Sequence, residues 1–384
     1  MQQKSPHYLI VEPYYGGSHK SFLTGLERHL EAECTLLTLP ARKWKMRMQL
    51  AAPWMAERIM ALVAAGHSYD LVLCSTFIDL AVLRALLARA GIALPLAIYF
   101  HENQFAYPSR GQDQTRHQFT AINFTSALCA DGLAFNSHYN RDSFLAGISR
   151  YLKKAADISL AQVSEELEAK SVVLYPGMDY GGIDRTAAGA PAKRGPVVVW
   201  NHRWEHDKNP EPFFSTLAEL SREGLGFELI VAGQSFRDQP EVFARARQEL
   251  AGHIRHFGYL PAEEDYWSLL QQGTIVVSTA IHEFFGMAVL EAVRAGCRPL
   301  VPDRLAYREL FPDEYRYKRE GFKRELRALL ESPGKLKPER SRALTEPYSW
   351  PQLSPGYAQW LRKVARSSVA AITPMAAKKM RLSS

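Results

Sequence analysis

The feature that most constrains this chain is a recurrence: short apolar, β-branched runs return along its length, separated by stretches with helical patterning. Such runs are expected where parallel strands are covered on both faces by crossover helices. In the first half they are Tyr8–Val11, Leu71–Cys74, Leu96–Tyr99, Gly132–Phe135 and Val172–Tyr175. A second series follows at Val197–Trp200, Leu229–Ala232, Thr274–Val277 and Pro299–Pro302. Gly181-Gly182 to Gly195, rich in Gly, Ala, Pro and charge, reads as the exposed linker between them. The predicted fold class is α/β, with two Rossmann-like, doubly wound domains facing a central cleft: the first over 1–180, the second over 196–345. Residues 346–366 read as a C-terminal helix packing back on the first domain. Residues 367–384, including Ala376-Ala377-Lys378-Lys379, lack apolar periodicity and read as a flexible tail.

Length agrees with this division, because 384 residues make two or three domains at roughly 150 residues each. A chain 47% hydrophobic and 23% charged is neither disordered nor fibrous. No secretory leader is expected, since Met1-Gln2-Gln3-Lys4 leads straight towards Tyr8–Val11. The most apolar long window, Ala81–Phe100, is interrupted by Arg84 and Arg89, so no membrane span is expected either. Cys34, Cys74, Cys129 and Cys297 show no metal-ligand spacing and fit buried thiols in a reducing cytoplasm. A net charge of +7 favours a polyanionic partner such as RNA or an acidic membrane, although basic enzymes that touch neither are common.

Ligands of doubly wound sheets bind beyond the carboxyl ends of the strands, so chemistry is sought in the loops that follow them. His282-Glu283-Phe284-Phe285-Gly286-Met287-Ala288-Val289-Leu290-Glu291 comes just after one strand and opens a helix. Gly286 lets backbone amides approach a phosphate at the positive end of that helix, and the two carboxylates can bind sugar hydroxyls. The competing reading makes Glu291 an exposed helical residue and Glu283 a cap. Arg203 and Lys208, in the loop Trp200–Pro210, can reach one diphosphate and stabilise its departure; a solvated loop is the alternative. No Asp-x-Asp pair occurs in the chain, so a divalent cation held to phosphates by neighbouring carboxylates is not expected, nor is any other cofactor.

Glu283 with Glu291, Arg203 with Lys208, and Gly16-Gly17 after the first strand together resemble the retaining GT-B transferases related to glycogen synthase and bacterial mannosyltransferases. The resemblance implies that Glu291 contacts the nucleotide ribose, Glu283 faces the donor sugar, and Arg203 and Lys208 hold the diphosphate. Phe284, Phe285, Gly286 and Met287, with Gly16 and Gly17, complete the implied donor-binding set. Val231-Ala232-Gly233-Gln234 resembles that family's strand and glycine turn. Tyr175-Pro176-Gly177-Met178-Asp179 resembles its domain-closing motif without the usual asparagine before the glycine.

A closer resemblance lies in the first domain. Glu12-Pro13-Tyr14-Tyr15-Gly16-Gly17-Ser18-His19-Lys20, Arg42-Lys43-Trp44-Lys45-Met46-Arg47 and His101-Glu102-Asn103-Gln104-Phe105-Ala106-Tyr107-Pro108 are similar to the enzymes that mannosylate queuosine in tRNA. That similarity implies GDP-mannose as donor and the cyclopentenediol of queuosine as acceptor. From the residues themselves, His101 ends a strand, where its imidazole can bind the transferred sugar or be an ordinary core histidine. Glu102 and Asn103 add polar groups at the same rim, His19 is expected to face the cleft, and Ser18 joins these three in the expected acceptor-binding set. Arg42, Lys43, Lys45 and Arg47 flank Trp44, a combination suited to phosphate contacts and base stacking, or equally a solvated face.

The expected chemistry is front-side displacement with retention. The diphosphate departs as the acceptor hydroxyl enters on the same side, and no protein partner is evident. Two rivals remain. One is a transferase of the same fold acting on a lipid or polysaccharide at a membrane surface, kept open by Trp44 and Trp54 near the basic run. The other is a nucleic-acid-binding module that has lost catalysis.

Overall fold

The computed structural model describes residues 5–107, 116–157, 160–187, 195–235, 239–318, 320–332 and 336–370. They form two compact units. The first takes the chain up to Asn136, then Arg141–Leu174, then the chain from Ser354 onward; the second takes Ser137–Asn140 and Tyr175–Leu353.

In the first unit, six strands lie parallel in the order β2-β1-β3-β4-β5-β6. They are β1 (His7–Tyr15), β2 (Glu33–Pro40), β3 (Leu71–Ser75), β4 (Leu96–Phe100), β5 (Gly132–Phe135) and β6 (Ser171–Val173). Every residue of β3, β4 and β5 is buried, which is why these strands read as unbroken apolar runs. The edge strand β2 is mostly half-buried, and its mixed Cys34-Thr35-Leu36-Leu37-Thr38 pattern carries no such run. Helices α1 (Gly17–His29) and α2 (Trp44–Ala64) follow β1 and β2. Ala52, Met55 and Ile59 of α2 enter the core with Leu9, Val11, Val72 and Ile98.

The second unit repeats the plan with β7 (Val197–Trp200), β8 (Glu228–Ala232), β9 (Ile254–Gly258), β10 (Ile275–Val277), β11 (Arg298–Pro302) and β12 (Arg316–Tyr317). All are parallel, in the order β12-β11-β10-β7-β8-β9. Each sheet therefore reverses its direction of growth once, between β1 and β3 in the first and between β7 and β10 in the second. Such reversals open a crevice at the carboxyl ends of the two strands.

Three sequence-based boundaries need correction. Gly181–Ala187 is a helix of the second unit, not linker. A Cβ on Gly182 would lie 2.1 Å from Trp267, so this glycine serves close packing. Residues 188–194, the rest of the expected linker, lie outside the described residues. Tyr175–Tyr180, assigned by sequence to the first domain, belongs to the second unit, because Gly177 lies beneath the Trp350 ring and Met178 bridges to Ser349. The last helix spans Trp350–Ala370, so it takes in the first residues of the expected tail; 371–384 lie outside the described residues. From Ser354 this helix belongs to the first unit: the Tyr357 hydroxyl donates to that of Tyr99 at 3.1 Å, and Val364 fills the space above Gly132.

Candidate active site

In the second unit, β7 ends at Trp200 and its loop carries Asn201 to Lys208. Gly233 holds that loop down, since a Cβ there would sit 1.9 Å from the His202 carbonyl oxygen. The Trp204 amide also donates to the Gln234 carbonyl at 2.9 Å. β10 ends at Val277, and its loop brings His282 and Glu283 to the same place. Lys208 is only 6% exposed, and its Nζ donates to Glu283 Oε2 at 3.1 Å and to the His282 carbonyl at 3.1 Å. Asp207 Oδ2 is 3.2 Å away. Three acceptors for three protons make Lys208 the centre of a buried charge cluster. Burial opposes its charge, but Glu283 and Asp207 override burial and hold its pKa above the usual range. Burial likewise works against charge on Glu283, and Lys208, through its charge and its hydrogen bond, overrides it to keep the carboxyl below its usual value. His202 and His282 are pushed down to about 4 by burial and then by Lys208, so both are neutral at pH 7.

Arg203 is half exposed, with its guanidinium 3.1 Å from Glu205. The sequence pairs Arg203 and Lys208 on one diphosphate. In the structure only Arg203 is solvent-facing, while the Lys208 protons are directed at protein acceptors. Gly286 caps the helix Met287–Arg294 with φ 112°, a left-handed conformation that favours glycine, and no acidic side chain occupies the first turn. Phe284 and Phe285 are buried at 6% and 3% exposure, which leaves mainly their backbone to offer a ligand. Met287 is half-buried.

Glu291 lies one turn into that helix and accepts from the Tyr266 hydroxyl at 3.0 Å. Asn201 donates to the same hydroxyl at 2.9 Å and to the Ala288 carbonyl at 2.6 Å. Burial raises the Glu291 carboxyl to about 7, against the lowering effect of the Tyr266 bond. Sequence reasoning missed Tyr266 and Asn201. Asn201 stands directly after a strand and could have been found by that position; nothing local marks Tyr266.

In the first unit, the reversal between β1 and β3 gathers Glu12, His19 and Ser75, with His101 beyond β4. Glu12 is 1% exposed. Its Oε1 accepts from the Tyr14 amide and the Ser75 hydroxyl, both at 2.8 Å, and its Oε2 lies 2.9 Å from His19 Nδ1. An ionised carboxylate only accepts, so in that state Nδ1 carries the proton. The His101 ring lies 4.0 Å from that of His19, centroid to centroid, and burial followed by His19 pushes its pKa well below normal. Sequence reasoning missed Glu12, although this residue heads the Glu12–Lys20 segment.

Among the described residues, Glu12, His19 and His101 offer three ligand atoms within 4.8 Å of one another. Two ligands about 2.0–2.1 Å from a tetrahedral ion stand roughly 3.3 Å apart. The 2.9 Å spacing of Nδ1 and Oε2, with Oε1 already taken twice, fits a hydrogen bond better.

Gly16 is extended, and a Cβ on it would meet that of Ala41 at 2.6 Å; Gly17 has φ 51° and opens α1. Ser18 is exposed and Glu102 half-buried. Asn103 is fully buried, donating to Ser143 at 3.0 Å and accepting from the Ala106 amide at 2.9 Å. It braces the loop and is not an RNA-facing group. Arg42, Lys43 and Lys45 are exposed, and Arg47 is half-buried. Trp44 is half-buried against Phe119, with centroids 5.2 Å apart. Pro108, at the end of the His101–Pro108 segment, lies outside the described residues.

The tRNA-queuosine alpha-mannosyltransferase N-terminal model matches residues 7–178, and the glycosyl transferases group 1 model matches 185–345. A Drosophila melanogaster tRNA-queuosine alpha-mannosyltransferase is 35% identical over 83% of this chain and 85% of its own length. The chain belongs to the tRNA-queuosine alpha-mannosyltransferase family. Solved structures agree on the fold. Sucrose-phosphate synthase of Thermosynechococcus elongatus has a TM-score of 0.69 at 12% identity, covering 94% of this chain and 100% of its own. HepE of Anabaena in complex with UDP has 0.64 at 14%, covering 93% and 100%. This GT-B fold and the family make the chain a glycosyltransferase. The tRNA-queuosine alpha-mannosyltransferase N-terminal model covers Glu12, His19, His101 and the basic run, whereas the general transferase model covers Arg203, Lys208, Glu283 and Glu291.

Proposed function

We propose that this protein transfers mannose from GDP-mannose to the cyclopentenediol of queuosine in tRNA, with retention and without a metal at the diphosphate. The observation that carries the reading is the convergence at the β7/β10 reversal. There Arg203, the Lys208–Glu283 pair and the amino end of the helix Met287–Arg294 meet in one place, with Glu291 one turn further on. Glu291, held by Tyr266, receives the ribose hydroxyls. The diphosphate lies against the helix amides and Arg203, where charge developing on the leaving group is met by fixed donors. Glu283 orients the sugar, and Lys208 keeps that carboxylate ionised and in place. As the glycosidic bond breaks, the leaving phosphate takes the proton of the acceptor hydroxyl entering on the same face. On the acceptor side, His19 and His101 bind hydroxyls, and Arg42, Lys43 and Lys45 meet phosphates. A cytoplasmic setting follows from such a substrate. No helix among the described residues is long and apolar enough to cross a membrane.

Incubation with queuosine-containing tRNA and a panel of nucleotide-sugars, followed by weighing the nucleoside, tests this. A hexose gain with GDP-mannose is expected. A gain only with another donor, or only on a lipid or polysaccharide, contradicts it.

A further inference from the structure

Seven large apolar side chains are exposed among the described residues, and three of them, Met46, Leu50 and Trp54, stand on one face of α2 at four-residue spacing. They are 47%, 58% and 36% exposed. Arg58 extends the row, with its guanidinium 5.1 Å from the centroid of the Trp54 ring. The opposite face, from Met48 through Ala52 and Met55 to Ile59, is buried. This row is thus solvent-facing by construction. Arg42, Lys43, Lys45 and Arg47 crowd its amino end, and no acidic residue occurs from Cys34 to Ala56.

An apolar row with cations at one end fits two kinds of surface, RNA and an anionic membrane. Membrane insertion needs a face apolar throughout, with charge confined to its margins. Here the row ends in Arg58, whose guanidinium lies over the Trp54 indole so that the ring cannot be buried without it, and Glu57 is exposed beside it. Insertion would carry both charges out of water. An unpaired base asks for the reverse: an aromatic plane and a guanidinium plane to stack on, with ammonium groups near its phosphates. Trp44, the tryptophan the sequence favours for this role, is instead packed against Phe119.

We propose that the α2 row Met46–Leu50–Trp54–Arg58 is an RNA-docking platform, taking unpaired nucleotides that flank the modified base while Arg42, Lys43 and Lys45 hold the adjoining phosphates. This rests on the proposed acceptor and names the surface that receives it. A base stacked on Trp54 contributes through its ring and not through ions, so the two parts of the platform respond differently to salt.

The test is binding of a fluorescent, queuosine-containing anticodon stem-loop to the full chain, across a salt series. Trp54→Ala and Leu50→Glu are each expected to weaken binding about tenfold or more, with melting unchanged. For Trp54→Ala the log-log salt slope stays that of the parent, and Trp54→Phe recovers most of the affinity. Replacing Arg42, Lys43 and Lys45 together with Ala flattens the slope by about 0.7–0.9 for each phosphate that is no longer neutralised. Parental affinity in Trp54→Ala and Leu50→Glu overturns the proposal. So does binding of the parent to phosphatidylserine vesicles, or its self-association in sedimentation, if Trp54→Ala and Leu50→Glu abolish either while leaving RNA affinity intact. A parent that binds the stem-loop through this row yet transfers no mannose contradicts the activity and leaves the platform standing. A parent that transfers mannose, with Trp54→Ala as good at low RNA, does the opposite.

Discussion

At the scale of single residues, the structure changes what substitutions should do. Lys208→Ala leaves Glu283 and Asp207 buried without their cation, so it should destabilise the protein by about 3–5 kcal/mol and not merely slow turnover. Denaturant unfolding measures this, and a loss below about 1 kcal/mol would show that water replaces the ammonium freely. Glu291→Gln addresses the ribose. With the Glu291 carboxyl at about 7 in the free protein, donor affinity should tighten as pH rises through 7 in the parent and stay flat in the variant. Calorimetry from pH 6 to 8 decides it, and parallel curves remove Glu291 from the donor site. Glu12→Gln keeps the volume but offers His19 an amide donor where Oε2 now accepts, which favours the opposite tautomer. Transfer should fall on the order of tenfold to a hundredfold, while the melting shift caused by GDP-mannose persists. Unchanged turnover would make the Glu12–His19 bond a packing detail.

At the scale of elements, legibility followed burial. Strands covered on both faces, such as Leu71–Ser75 and Val197–Trp200, announce themselves as apolar runs. The edge strands Glu33–Pro40 and Arg316–Tyr317 face solvent or are too short, and leave no such mark. Glycines misled in one place: Gly181-Gly182 has the composition of a loop, but its missing Cβ makes room for Trp267, a partner 85 residues away that no local pattern reveals. The same limit hid the Tyr266 bond to Glu291. Arg203, Glu283 and Gly286 were legible as candidates because each follows a strand in its loop, and Glu291 because it lies one turn into the helix that such a loop opens. The burial of Lys208 in a charge cluster was not, because Glu283 and the His282 carbonyl, 75 and 74 residues away, meet it only through the fold. Gly286→Ala forces a Cβ to within 3.1 Å of Tyr307 at φ 112°, which should tilt the helix Met287–Arg294 and weaken donor binding more than it lowers melting.

At the scale of the whole molecule, buried histidines help set the acid limb of stability: burial lowers His101, and it lowers His202 and His282 as well. The folded pKa values of His202 and His282, about 4, lie below the ordinary value of 6.5. Between those values the unfolded chain binds more protons, so stability falls as pH drops from 6.5 towards 4, by about 3 kcal/mol per histidine at most. Glu291 acts with the opposite sign. Its folded value is raised, so it favours the native state at low pH and its contribution is lost as pH rises from 4.5 through 7. Unfolding in urea at pH 7, 6 and 5 should show the histidine loss dominating, and a double variant carrying His202→Gln and His282→Gln should reduce it, leaving the part due to His101. The proposed function divides labour between the units: the first reads the tRNA and the second holds the donor. One experiment measures both, by following hexose transfer to queuosine-containing tRNA from GDP-mannose with the Arg42, Lys43 and Lys45 triple variant beside Glu291→Ala. The triple variant is expected to raise the KM for tRNA with the KM for GDP-mannose unchanged, and Glu291→Ala to do the reverse. Shifts in the same substrate's KM for both variants, or no transfer to queuosine by the parent, would contradict that division.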